Sequence, residues 1–232
     1  MDRNFCQELL AAIERADRAG AAAVVDAWAV GRPFSQVVPE LLSPTLESFG
    51  SLWSQGHSGI SLATGYVAAK VAEDVLSRLL LESSQEGDPV LPAKGPVLLG
   101  NVEDDFHPLG RNMVVAFLRA AGWDVRDLGV DVTPDQFVDL AEETGARVIG
   151  ASAMMHTTAK NVARIREEID RRGLAGRVQL AVGGAVFKLR PELVADLGGD
   201  GTAASALEAP ALFERLWQRS LELAPSPLRA LP

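Results

Sequence analysis

Cysteine is nearly absent: Cys6 is the single one in 232 residues, which excludes an internal disulfide and any metal site built on cysteines. Long apolar runs are missing too. Charged residues or glycines interrupt every hydrophobic stretch before the ~18–20 residues that a membrane-spanning helix needs. Basic charge is in short supply, with 22 Lys and Arg against 31 Asp and Glu and a net charge of −9. Such a balance repels phosphate backbones and anionic lipid, so no direct nucleic-acid or membrane partner is expected. The start, Met1-Asp2-Arg3-Asn4, lacks the apolar core of a secretory signal, and a cytoplasmic protein is expected. Internal repeats and low-complexity segments are absent. What the chain does have is 47% hydrophobic residues, enough to bury a core. At roughly 100–200 residues per domain, the length allows one large domain or two small ones.

Residues 1–83 carry apolar patterns of helical period and almost nothing that reads as a strand. Phe5, Leu9 and Ile13 predict a first helix, and Val37, Val38, Leu41 and Leu42 form a second stripe. Ser43-Pro44 reads as an N-cap followed by proline at the first helical position, opening a helix through Leu46, Phe49 and Trp53. After a turn at Gly56–Gly59, Leu62, Val67, Val71, Val75, Leu79 and Leu80 mark a fourth. Four helices with short links imply an all-α bundle. Residues 84–96 are rich in turn formers and read as a linker.

From residue 97 strands and helices alternate. Strands are expected at Pro96–Gly100, Asp124–Leu128, Arg147–Ala153, Gln179–Val182 and Gly201–Ala204. Helices are expected around Met113–Leu118, after the capping box Thr133-Pro134-Asp135-Gln136, along Val162, Ile165 and Ile169, near Arg190–Leu197 and over Glu208–Leu221. This is the pattern of an α/β doubly wound parallel sheet of the Rossmann or flavodoxin type, spanning 97–222, with 223–232 a frayed tail. Cys6 reads as a buried thiol, and Arg164–Arg172 as a solvated helix face.

Ligands of such sheets sit at the carboxyl ends of the strands, which directs attention to Asn101–Gly110, Ser152–Thr158 and Gly183–Ala185. The first holds Asp105-Phe106-His107-Pro108-Leu109-Gly110. A carboxylate two residues from a histidine can hold one ring nitrogen and leave the other as base or metal ligand. Gly110 allows a sharp turn or close approach of a bulky group. Taken alone, Asp-x-His is more often a surface histidine near a helix start.

After Gly110, 41 residues intervene before Ser152-Ala153-Met154, and 28 more before Gly183-Gly184. This three-part constellation resembles the signature of cobalamin (B12)-binding domains. The flanking segments Gly110-Arg111-Asn112-Met113-Val114, Asp127–Val132, Gly150–Met154 and Gly183-Gly184-Ala185 are similar to corrinoid proteins of methyltransferase systems. The resemblance covers most of residues 96–220, and residues 1–83 look like the helical cap that precedes such domains. It implies a cobalamin bound "base-off, His-on", with its dimethylbenzimidazole tail lying in a slot of the sheet. His107 would be the lower axial ligand of cobalt, with Asp105 on its other nitrogen. Ser152 and Ala153 would wall the slot, and Gly183 and Gly184 would let the nucleotide approach the backbone. Phe106, Pro108, Leu109, Gly110 and Met154 count as further cofactor contacts. Thr158 stands where related domains continue the His–Asp proton relay with a hydroxyl, and it equally suits a helix N-cap. His156 takes a place usually held by a small hydroxyl residue. Trp53 and Tyr66 are the aromatic candidates for the upper face of the corrin, with His57 on the turn between them.

The function implied is a corrinoid methyl carrier serving partner methyltransferases. Whether such a subunit is an enzyme in its own right is open, as is association with further copies of the chain. The alternative is a cobalamin-dependent light or redox sensor acting through a signalling protein. The Glu-His pair of light-sensing caps is missing, with Gly65-Tyr66 in the nearest place, and so is the Pro-Glu element of methyl-carrier caps. A flavodoxin-like nucleotide domain without metal would explain the alternation but not the spacing of His107, Ser152 and Gly183-Gly184.

Overall fold

The computed structural model describes residues 4–86 and 94–223. Two compact units divide the chain: Met1–Ala93 with Asn112–Trp123, and Lys94–Arg111 with Asp124–Pro232. Among the described residues no helix is long and apolar enough to cross a membrane.

The first unit is helical. Helix α1, Phe5–Glu14, is capped by the Asn4 side chain and buries Leu9, Ala12 and Ile13. Helix α2, Arg18–Ala29, is one the apolar pattern had not marked. Asp17 caps it by accepting from the Gly20 N–H, and it buries Ala21, Val25 and Trp28 at helical spacing. With Ala21 in the first of these places, only two large apolar residues mark the stripe. The Val37–Leu42 stripe is not a separate α-helix, contrary to expectation. A 3₁₀ turn at Phe34–Gln36 leads into a π turn at Val38–Leu42, and this runs without a break into α3, Ser43–Ser54.

Ser43 is therefore not an N-cap, since its φ of −60° and ψ of −48° are helical. The cause lies in Pro44, which has no N–H for the carbonyl of Glu40 and crowds it with its ring. The wider turn, with the Ser43 N–H donating to Val38, accommodates this. The half-buried Cys6 thiol points at the same Glu40 carbonyl over 3.8 Å. Helix α4 spans Leu62–Glu86, and at its start Ser61 and Thr64 exchange backbone and hydroxyl hydrogen bonds.

In the second unit the elements are β1 Lys94–Val102, α5 Leu109–Ala120, β2 Trp123–Val132, α6 Pro134–Thr144, β3 Val148–Ser152, α7 His156–Ala159 and α8 Asn161–Arg171. They continue with β4 Gln179–Gly183, α9 Ala185–Leu189, α10 Leu193–Asp196, β5 Gly201–Thr202 and α11 Ala209–Leu223. From Asn112 onward α5 sorts with the helical unit. The strands form a five-stranded parallel sheet in the order β2-β1-β3-β4-β5, the doubly wound sheet expected. The inner strands β1, β3 and β4 are buried along most of their length, and their apolar residues join those of α6 and α8 in one core. The Thr133–Gln136 capping box forms as read from the sequence, and α6 stops at Gly145 in a left-handed conformation.

Three local expectations change. The helix near Arg190–Leu197 is replaced by α9 and α10, because Pro191 cannot continue a helix and Arg190 is extended (φ −138°, ψ 75°). The last strand is two residues, Gly201–Thr202, rather than four. Arg164–Arg172 is not simply solvated: Arg166 bonds Asp200 and the Gly198 carbonyl, and Arg172 bonds Glu168, Asp139 and Glu142. Helix α4 reaches Glu86 and β1 begins at Lys94, so the ends of the 84–96 segment lie within elements. Residues 87–93 of that linker, and the tail from 224, are outside the described residues.

Candidate functional site

In the order β2-β1-β3 the chain leaves β1 toward one edge of the sheet and β3 toward the other, so the loops after these strands part and open a crevice at their carboxyl ends. Here the three motifs meet. Asn101 of β1 is in register with Ser152 of β3, and Ser152 with Gly183 of β4. Neighbours in a parallel ladder share a face, so these positions form one row along the rim.

Asp105, fully buried, is the centre of the crevice wall. Its Oδ1 accepts from Asn101 Nδ2 at 2.9 Å and from the His107 backbone N–H at 3.1 Å, and it lies 3.3 Å from His107 Nδ1. Its Oδ2 accepts from the Met154 N–H at 2.6 Å and faces the Thr158 hydroxyl at 3.1 Å. Burial by itself pushes this carboxyl up. The donors from Met154, His107, Asn101 and Thr158 outweigh that push and hold it below its ordinary value. A charge buried without such partners would cost several kcal/mol. Asp105 is thus an anion whose place depends on β1, its own loop and the segment after β3.

His107 differs in kind, since its side chain is 53% exposed while that of Asp105 is 0%. With Nδ1 as donor to the carboxylate, Nε2 is the acceptor tautomer position and carries a free lone pair. Pro108 disfavours helical backbone at His107, and α5 starts at Leu109 just beyond it. Large apolar side chains are exposed after β1 and β3, at Phe106 (61%), Leu109, Met154 and Met155, and near the end of β2 at Val130.

The other expected residues divide. Thr158 is not an N-cap: it lies within α7, and its hydroxyl faces the Met155 carbonyl at 3.0 Å as well as Asp105. Gly110 has no positive φ, so it makes no special turn, and nothing lies within 4 Å of where its Cβ would be. Gly183 is open in the same way. Gly184 serves the fold itself, for at φ +111° its Cβ would fall 1.9 Å from the Ala153 carbonyl oxygen. Ser152 is half-buried at the rim, and His156 is exposed at the first position of α7. In the helical unit Trp53 is half-buried, with its ring 5.9 Å from Phe49 in an edge-to-face arrangement. Gly65 makes room for it: a Cβ there would lie 2.5 Å from the Trp53 ring and 3.0 Å from Met113 Cε. Tyr66 is exposed with Lys70 Nζ 5.6 Å from its ring centroid, and His57 is exposed, accepting from the Gly59 N–H at 3.4 Å.

The side chain of Asn101 was missed by motif reasoning. Fully buried, it donates from Nδ2 both to Asp105 and, at 3.1 Å, to the His107 carbonyl. Its buried Oδ1 has no partner among the described residues. The signal available was an amide near the end of a strand, four residues before the carboxylate. Two further ties were also unforeseen. Arg111, at the first turn of α5, pairs with Asp127 of β2, and Asp131 accepts from the Asp104 N–H at 2.8 Å.

Comparison with known proteins supplies the context. The model of the B12 binding domain matches residues 95–211. A corrinoid protein of Desulfitobacterium hafniense is 33% identical over 172 residues, covering 74% of this chain and 77% of that one. A dimethylamine corrinoid protein of Methanosarcina mazei is 31% identical over 199 residues, 84% of this chain and 88% of its own. Among solved structures, a cobalamin-binding protein of D. hafniense superposes with a TM-score of 0.70 at 19% identity, over 91% of this chain and 98% of that one. The methanol:cobalamin methyltransferase complex MtaBC of Methanosarcina barkeri gives 0.67 at 20%, over 94% and 81%. These two likenesses concern the fold.

Proposed function

The chain belongs to the B12-binding family of corrinoid proteins, and on that premise we propose that it is a methyl carrier serving partner methyltransferases, with its cobalamin held base-off and His107 as the lower axial ligand. When bound, the cobalamin supplies a cobalt centre able to take up and give up a methyl group. The chain's own residues provide the seat. His107 presents Nε2 from an exposed ring, while Asp105 holds Nδ1 and thereby sets the tautomer and the donor strength of the imidazole. Thr158 and the Met154 N–H keep Asp105 anionic, so that it can accept the Nδ1 proton's hydrogen bond throughout.

The residues present suit a large, partly apolar, amide-bearing group. The exposed Phe106, Leu109, Met154 and Met155 would cover apolar surface, and Asn101 Oδ1 is a buried acceptor with no donor among the described residues. The open space over Gly183 would take the nucleotide tail beside Ser152. Gly184, Pro108, Gly110 and His156 would be further contacts of the cofactor, and Trp53 and Tyr66 are the aromatic candidates of the helical unit. The relative named for dimethylamine points to a small methylated amine as the donor class.

The observation that carries this reading is the pairing of a fully buried Asp105 with a half-exposed His107 in the crevice at the switch point. Its test is electron paramagnetic resonance of the Co(II) form. The wild type should show coupling to a protein nitrogen, and His107→Ala should bind cobalamin more weakly, by roughly 10–100-fold, without that coupling. A spectrum unchanged by the substitution overturns the ligand assignment. Methyl turnover with an added amine methyltransferase supports the carrier role, whereas a light-triggered change of oligomeric state without turnover replaces it with sensing.

A further inference from the structure

We infer that Asn101 is a positioning residue for the axial ligand, acting on His107 through Asp105; the inference rests on the cobalamin reading above. The two hydrogens on Asn101 Nδ2 go to the two groups that restrain His107: Oδ1 of Asp105 at 2.9 Å and the carbonyl of His107 itself at 3.1 Å. Both targets only accept, so the amide must present its nitrogen to them, and Oδ1 of Asn101 points elsewhere, with no partner among the described residues. One side chain thus holds both the acceptor that faces the imidazole and the backbone that carries it.

The chemistry of Asp105 Oδ1 gives this tie its consequence. That single oxygen receives Asn101 Nδ2, the His107 N–H and the approach of His107 Nδ1 at 3.3 Å. Of the donors converging on that oxygen, Asn101 is the one anchored in the strand, so it keeps Oδ1 aimed at the edge of the ring. It also prevents the carboxylate from rotating away from the ring. Asn101 belongs to β1 and is in register with Ser152 in the parallel ladder, which makes it a rigid anchor for a loop that has no regular structure of its own. Rigid placement of a ligand's outer partner is what decides ligand orientation at metal centres. No other residue type of this size supplies two donors in a plane: aspartate has none, and serine and threonine have one.

The test compares wild type, Asn101→Ala and Asn101→Ser as full-length protein loaded with cobalamin. In the Co(II) resonance spectrum the share of cobalt coupled to a protein nitrogen should fall in Asn101→Ala, corresponding to about a 10–100-fold weaker imidazole–cobalt equilibrium. Asn101→Ser should fall between the two. In cofactor-free protein at one fixed pH, the ¹⁵N shifts of the His107 ring should move from a single Nδ1–H form toward a mixture of tautomers. A merely structural amide would lower thermal stability and leave both spectra in place. Unchanged coupling and tautomer in a folded Asn101→Ala, against a wild type that shows the coupling, overturn the inference alone. A wild type without nitrogen coupling removes the cobalamin reading instead, and with it the role of Asn101 toward cobalt. If Asn101→Ala does not fold, Asn101→Ser carries the test, partial loss supporting the inference and a wild-type spectrum overturning it.

Discussion

The Thr158 hydroxyl stands 3.1 Å from Asp105 Oδ2 although 53 residues separate the two in the chain. It closes the set of donors around a carboxylate that has no access to water. Thr158→Val keeps the volume and removes the donor, so it should lower stability by about 1.5–3 kcal/mol, the range for hydrogen bonds to charged groups. Thr158→Ser, which keeps the hydroxyl, should lose less. Thermal melts of the cofactor-free proteins decide this, and a Thr158→Val as stable as wild type would mean that the hydrogen bond does not matter.

Adjacent glycines in the third motif should respond in opposite ways. Gly184→Ala forces a Cβ to within 1.9 Å of a backbone oxygen at a φ of +111°, and it should cost more than about 4 kcal/mol or prevent folding. Gly183→Ala meets nothing within 4 Å and should stay within about 0.5 kcal/mol of wild type. On the proposed function it should nevertheless weaken cobalamin binding, because the methyl group occupies the tail's slot. Melting curves together with cobalamin titration separate the two effects.

Gly65→Ala tests the seat of Trp53. The added Cβ would lie 2.5 Å from the indole, and since the obstacle is a side chain, the ring should shift rather than the helix break. A changed near-ultraviolet circular dichroism band, with a loss of about 1–3 kcal/mol from overpacking, is expected. An unchanged band would show that the indole is not held against Gly65 in solution.

Glu168 is drawn down to about 2 by its bonds to Arg171 and then Arg172. A carboxyl depressed in the folded state contributes stability above its unfolded value of about 4.3, and that contribution is lost as pH falls from there toward the folded value. Glu168→Gln should therefore be less stable than wild type at neutral pH, and the difference should fade between about pH 4 and pH 2. High salt should shrink the part due to Arg171, whose side chain is 67% exposed, more than the part due to the largely covered Arg172. Urea unfolding across pH and ionic strength measures both trends, and a difference that grows on acidification would contradict the assignment.

Legibility varied with how local each cause is. The α6 capping box, the apolar spacing of α8 and the three inner strands could all be read, since each is set by residues within one turn or one strand. Helix α2 escaped because its buried face is built on Ala21 as well as Val25 and Trp28. The π turn before α3 escaped because Ser43-Pro44 looks like a helix start in isolation, and only the preceding helical residues make it an interior position. At the site, Asp105 and His107 were legible from their spacing. Asn101 was not, because an amide at the end of a strand has no meaning until the loop folds back onto it.

The amino-acid sequence by itself determined the alternation that makes a doubly wound sheet, and it placed Asp105, Ser152 and Gly183 at the ends of the strands. Periodicity, caps and turns act over a few residues, so the order of the chain is sufficient to specify them. Only the tertiary structure decided that Asp105 is a buried anion, that Met154 and Thr158 satisfy it, and that His107 is left exposed beside it. Those properties arise from burial and from partners about 50 residues away, and they exist only once the strands pair and exclude water from the carboxylate.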